Sequence, residues 1–193
     1  MANTVIDSGR RIFANLKSII FTPWSNESTI GADSYDLVNI VGDTTSVEQA
    51  DNNVNSIEHE FSNEPLYENV TLGSKTFTCE CVDFQNDVLK NLMGWDVAEG
   101  GDAFAPVVYK DLFCKVEMQF NSTDDIVVLP KVKLNSKAVL GTMKTDASRG
   151  TITGTAYSAY VKAGTKEVET DIAVISKANA SSYTVSATST IGG

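Results

Sequence analysis

Histidine occurs once in these 193 residues and cysteine three times, and that scarcity removes most catalytic chemistries at the outset. His59 stands between Glu58 and Glu60 in a stretch that reads as a strand, where a surface or interface histidine is expected. A hydrolytic triad would need it beside a nucleophile held on a sharp turn, and no G-x-S-x-G is present. An odd number of cysteines is not a disulfide framework and fits a reducing compartment. Cys79, Cys81, Cys114 and His59 match zinc ligands by type. A C-x-C on a strand, however, sets both sulfurs on one face about 7 Å apart, unlike the C-x₂-C turn that aims two thiolates at one ion. The expectation is therefore small core residues. Gly100–Gly101 lacks the surroundings of a phosphate loop, and Asp51–Asn53 lacks the spacing of a calcium loop. The acidic loop Asp96, Glu99, Asp102 reads as solvated. No catalytic residue, metal or cofactor is expected, and the chain reads as a non-enzyme.

Long apolar runs are missing too. No stretch approaches the ~18 residues of a membrane helix. Near the start, Ile12, Phe13, Leu16, Ile19 and Phe21 are interrupted by Asn15, Lys17 and Ser18, which fails as an export signal; retention in a cytoplasm is expected. With only 4 prolines and 13 glycines, and 42% hydrophobic residues, the chain reads as folded with a substantial core.

Basic residues are few, 15 against 25 acidic ones, for a net charge of −10. The imbalance is concentrated in residues 27–102, where sixteen acids face only Lys75 and Lys90. A sector of that sign repels nucleic acid and gains nothing from counterion release, so specific DNA binding is not expected.

What is present is alternation. In Lys75–Val82, Phe77, Cys79 and Cys81 face one way and Thr76, Thr78 and Glu80 the other. Leu112–Phe120 is the longest clean strand, with Cys114, Val116 and Met118 opposing Lys115 and Glu117. Further strands are predicted at Ser18–Phe21, Tyr35–Val41, Val54–Phe61, Ile126–Leu129, Lys131–Val139, Thr151–Val161, Asp171–Ile175 and Tyr183–Thr188. Gly42–Asp43 reads as a turn and Ser46–Asn53 as a loop or hairpin arm. Pro130 should mark an edge, bend or bulge, because it cannot donate to a ladder. One helix is predicted at about 83–93: Asp83 as its cap, Phe84, Val88 and Leu92 as one stripe, and Gly94 as its left-handed stop. The expected fold is mainly β, a sandwich or barrel with one flanking helix. The expected division is an N-terminal arm over 1–34, a β domain over 35–180 and a C-terminal strand or tail over 181–193.

The run from Gly73 through Phe77 to Leu89, Leu92 and Gly94 resembles the strand-then-helix segment of the major tail tube proteins of long-tailed phages, a fold related to contractile-injection inner tubes. Val116 to Val139 resembles the hairpin that follows it there. The resemblance covers about residues 35–175 as a pattern of elements and carries no invariant motif. It implies six copies in a ring, an inner sheet lining a channel, and rings stacked head to tail with other tail and neck proteins at the ends. It also implies a virion location, with assembly in the bacterial cytoplasm. Residues 1–30, 42–56 and Ser181–Gly193 are expected to order on stacking. A negative lumen would let DNA slide without specific binding, and Glu58, Glu60, Glu80 and Glu117 are the expected lumen or rim residues. Other virion β-proteins (tail terminator, head–tail completion or capsid decoration) and an immunoglobulin-like binding module are the alternatives.

Overall fold

A computed structural model describes residues 13–37, 39–58, 65–82, 85–108, 110–139 and 149–190. In chain order the strands are β1 (Leu16–Pro23), β2 (Tyr35–Leu37), β3 (Ser46–Gln49), β4 (Asn53–Glu58), β5 (Pro65–Thr71) and β6 (Lys75–Cys81). The helix α1 (Asn86–Met93) follows, then β7 (Asp96–Val97), β8 (Ala103–Phe104), β9 (Leu112–Phe120), β10 (Thr123–Leu134) and β11 (Lys137–Val139). The chain continues with β12 (Arg149–Tyr157), β13 (Ala159–Ala163), β14 (Lys166–Thr170), β15 (Ala173–Ile175) and β16 (Thr184–Ser186). The fold is mainly β with α1 as the one α-helix among the described residues. The strand order is open, ending on β2 and β3, so the barrel alternative is corrected to open sheets. The chain divides into two compact units, and β9 and β10 contribute residues to both.

The first unit comprises Met1–Val38, Lys115–Pro130 and Ser158–Gly193. Here β1 pairs antiparallel with β2, setting Ile19 opposite Leu37 and Phe21 opposite Tyr35. Ile19, Phe21 and Leu37 are completely buried, so the strand expected at Ser18–Phe21 is present and contributes to the core. Trp24, just past β1, is buried and donates its indole N–H to the Pro130 carbonyl at 3.2 Å. Pro130 sits inside β10 at the point where its partner changes. Ile126–Val128 pair with β15, whereas Lys131–Leu134 pair with β12. A residue without an N–H fits there because neither ladder needs a donor from it. A small sheet in the order β14–β13–β16 completes the unit. Its Val161 joins Ile126, Val128 and Ile175 in a core flanked by Tyr183 and Val185. The β13–β14 turn places Gly164 at φ +62°, a conformation glycine adopts without penalty.

The second unit comprises Asn39–Cys114 and Lys131–Tyr157. Its centre is β6, paired with β12 along one edge and β3 along the other. Phe77, Cys79, Cys81, Ile152, Val132 and Leu134 are buried on one face, as the alternation predicts. The other face carries Thr76, Thr78 and Glu80 opposite Thr155, Thr153 and Thr151. Of the two readings of 46–53, loop or hairpin arm, the loop is replaced by β3 and the start of β4, held by ladder bonds that the polar composition does not announce. Gly42–Asp43 is a turn, with Asp43 at φ 60°.

Helix α1 buries Val88, Leu89, Leu92 and Met93 and stops at Gly94, whose φ of 72° is left-handed. It is shorter than predicted. Its N-cap is Gln85, which makes no side-chain cap bond, and the predicted cap Asp83 and stripe residue Phe84 lie outside the described residues. The helix packs on the buried face of the sheet. A Cβ on Gly150 would stand 2.1 Å from the Met93 methyl and 3.2 Å from the Cys81 sulfur. Glycine at the start of β12 is what admits the helix so closely.

Candidate assembly surfaces

Among the described residues of the second unit, those of the β4–β5 ribbon are exposed along its base. The ribbon forms its own two-stranded sheet, with Asn53 opposite Thr71 and Val54 opposite Val70. Asn53, Val54, Asn55 and Ser56 are all exposed, and so are Glu68, Asn69, Val70 and Thr71. Alternation puts the first four on both faces of the ribbon, so both faces meet solvent over this length. A two-stranded ribbon without a covering layer is marginal in water, and exposed valines gain nothing there. Leu72, at its base, is 70% exposed. The base itself is tight: a Cβ on Gly73 would lie 1.9 Å from the Ala50 carbonyl oxygen, and the Gly73 N–H is held by the Asn52 side chain at 3.2 Å. The ribbon is thus firmly rooted and bare at the same time. Sequence reading placed a strand over Val54–Phe61 but missed its partner. The signal was Leu66, Val70 and Leu72 recurring on one side against Asn69 and Thr71 on the other, obscured by Glu68 and by the turn-like Asn63–Glu64–Pro65.

The edge strands β2 and β3 are three and four residues long, a length that limits indiscriminate pairing. A second uncovered surface follows α1. Phe104 is 61% exposed, Val108 76%, and Val107 fully so. Beside them lies a cleft of about 470 Å³ lined by Trp95, Val97, Phe104 and Leu112 with Lys90 and Lys110. Lys110 pairs with Asp96 at 2.7 Å, which takes one carboxylate of the acidic loop into an ion pair. Among the described residues, no three acidic, cysteine or histidine side chains are grouped to hold a metal ion.

The four expected lumen or rim acids have different settings. Glu60, like His59, lies outside the described residues, and only the backbone of Glu58 is described, as the last residue of β4. Glu80 is on the threonine-rich face of the second unit, 29% exposed, with Arg149 at 3.6 Å. Glu117 belongs to the first unit. Its carboxylate is 2.6 Å from the Lys115 ammonium, both side chains are mostly buried, and the Tyr183 hydroxyl donates to it. Lys115 also lies 5.3 Å from the centre of the Tyr183 ring. This trio fastens the segment leading into β16. Removing one partner strands the other charge in a poorly solvated place, so Glu117→Ala should cost about 3 kcal/mol. The pair Lys115→Met with Glu117→Leu should restore most of it, since neither charge is then left alone. Thermal unfolding of the three variants checks this. Ser189 and Thr190 are held as well: Glu167 accepts bonds from the Ser189 hydroxyl at 2.6 Å and from the Thr190 amide at 3.0 Å.

All three cysteines are buried. Burial pushes the Cys114 thiol up to about 12. Burial also raises Cys79 above its ordinary 9.0, with the neighbouring Cys81 and Glu80 adding to the effect. Thiols whose folded pKa is raised stabilise fully below the unfolded value and lose that contribution as pH rises through the folded one. Stability should therefore fall as pH climbs from about 9 toward about 12. A thiol reagent at pH 8 should label nothing until denaturant is added; rapid labelling of the native protein would contradict the burial.

No protein-family profile matches the chain, and no curated protein matches it. Among solved structures, it is similar to a chain in the cryo-EM structure of the anti-feeding prophage (AFP) baseplate, 6-fold symmetrised. The identity is 9% and the TM-score 0.42, over 88% of this chain and 98% of that one. At that identity and score the likeness bears on neither family nor function.

Proposed function

We propose that this chain is a non-enzymatic structural subunit that assembles with copies of itself into stacked hexameric rings, forming the tail tube of a phage-like particle through which DNA is delivered. The observation that carries the reading is the β4–β5 ribbon, rooted at Gly73 and bare on both faces over residues 53–56 and 68–71. Such an element is stabilised when a neighbouring subunit covers it. The mainly-β fold, with one α-helix among the described residues, agrees with what the tail tube resemblance implies. The concentration of acid in residues 27–102 suits a wall along which DNA slides, with Glu58, Glu60, Glu80 and Glu117 as channel or rim acids; Glu80 beside Arg149, and more so Glu117 paired with Lys115, contribute less field. Ring stacking follows from a contact between two different surfaces that does not close. The subunit acts in a virion tail assembled in the bacterial cytoplasm, meets other tail and neck proteins at the tube ends, and uses neither cofactor nor membrane.

Sedimentation velocity across a concentration series tests it. Open-ended growth of heavy species is the expected result. A single closed ring at all concentrations would point to a tail terminator or head–tail completion protein. Monomers or trimers throughout would point to a capsid-decorating subunit or an isolated binding module.

A further inference from the structure

The ribbon has one face with a definite chemistry. Val54 and Val70 are cross-strand partners and so share a face, and Glu68, two residues before Val70, lies on that face as well. About 7 Å separates Glu68 from Val70 along the strand. The face therefore offers an apolar pair with one acid beside it. The cleft next to α1 offers the converse: Trp95, Phe104 and Leu112 as apolar walls, with the exposed Lys90 at its rim. Its volume of about 470 Å³ suits a small ligand or the side chains at the surface of one peptide element. The exposed Val107–Val108 loop matches the cleft less well, because it brings no acid to Lys90.

We propose that the cleft lined by Trp95, Phe104 and Leu112 receives the Val54–Val70 face of the β4–β5 ribbon from a second copy of the chain, with Glu68 meeting Lys90. This rests on the self-assembly reading and names the acceptor within it. Ribbon and cleft are different surfaces, so each subunit can give one and take one, and the contact propagates along a stack when its rotation does not close.

The buried native cysteines make a thiol test clean. Val70→Cys and Asn91→Cys proteins, the latter altered on the cleft wall, would be mixed under assembling conditions and treated with a short bismaleimide. A cross-linked dimer that needs both variants is expected. In a second arm, Lys90→Glu and Glu68→Lys should each raise the concentration needed for assembly roughly tenfold, and the two together in one chain should restore it. Normal assembly with no cross-link between these positions, or no rescue by the charge exchange, would overturn the proposed acceptor while leaving self-assembly standing. Absence of assembly by the unaltered protein would overturn both.

Discussion

Replacing Val54 and Val70 together by threonine will leave the monomer folded and stop it from assembling. Threonine keeps the branched Cβ that suits a strand, so the ribbon itself loses little. Both valines are about half exposed in the single chain, so the folded monomer has little packing there to lose. In an assembly that buries this face, each new hydroxyl is desolvated without a partner, at about 1–3 kcal/mol. Two per contact weaken it by about 2–6 kcal/mol, a factor of roughly 30 at the least. The prediction is checked by sedimentation velocity beside thermal unfolding: the melting temperature should hold while the heavy species vanish. A double variant that polymerises as the parent does would remove the ribbon from the assembly mechanism.

The largest effect on stability should come from Trp24→Ala. The indole is buried, and its N–H satisfies the carbonyl of a proline that lies fully inside β10. Truncation removes a large apolar body, leaves a cavity and strands the Pro130 carbonyl, for about 3–5 kcal/mol. Trp24→Phe separates the contributions: it keeps most of the volume and loses the bond, so about 1–3 kcal/mol is expected. Denaturant unfolding of both variants tests the order. If the phenylalanine variant were as stable as the parent, the hydrogen bond to Pro130 would carry no weight.

The sequence disclosed most where one residue pattern had one physical reading. Leu112–Phe120 alternates without interruption, and its strand bounds and its buried Cys114, Val116 and Met118 are as predicted. Gly94 ends α1 because a left-handed residue was needed and glycine was there. Pro130 marked a real change in β10, although the change is of partner. Legibility failed where tertiary pairing overrides composition. β3 is Ser-Val-Glu-Gln and β14 is Lys-Glu-Val-Glu-Thr, each with one apolar residue, and their strand state comes from neighbours that a local reading does not see. The strand expected at Ser18–Phe21 is the middle of β1, and Ile19 and Phe21 within it are completely buried. The acids proposed for the channel could be named from polar strand faces, but not the partners of each. Arg149 near Glu80 and Lys115 with Tyr183 at Glu117 lie far away in sequence or depend on the backbone to meet. The α1 cleft was missed because Trp95, Phe104 and Leu112 have no common period; they meet through the tertiary placement of the end of α1, β8 and β9.

Negative-stain electron microscopy of the purified, unaltered protein at high concentration tests the central claim most directly. Hollow tubes or stacks of rings with six-fold end views are the predicted result. Fields of single particles of monomer size at every concentration and salt would contradict self-assembly by this chain.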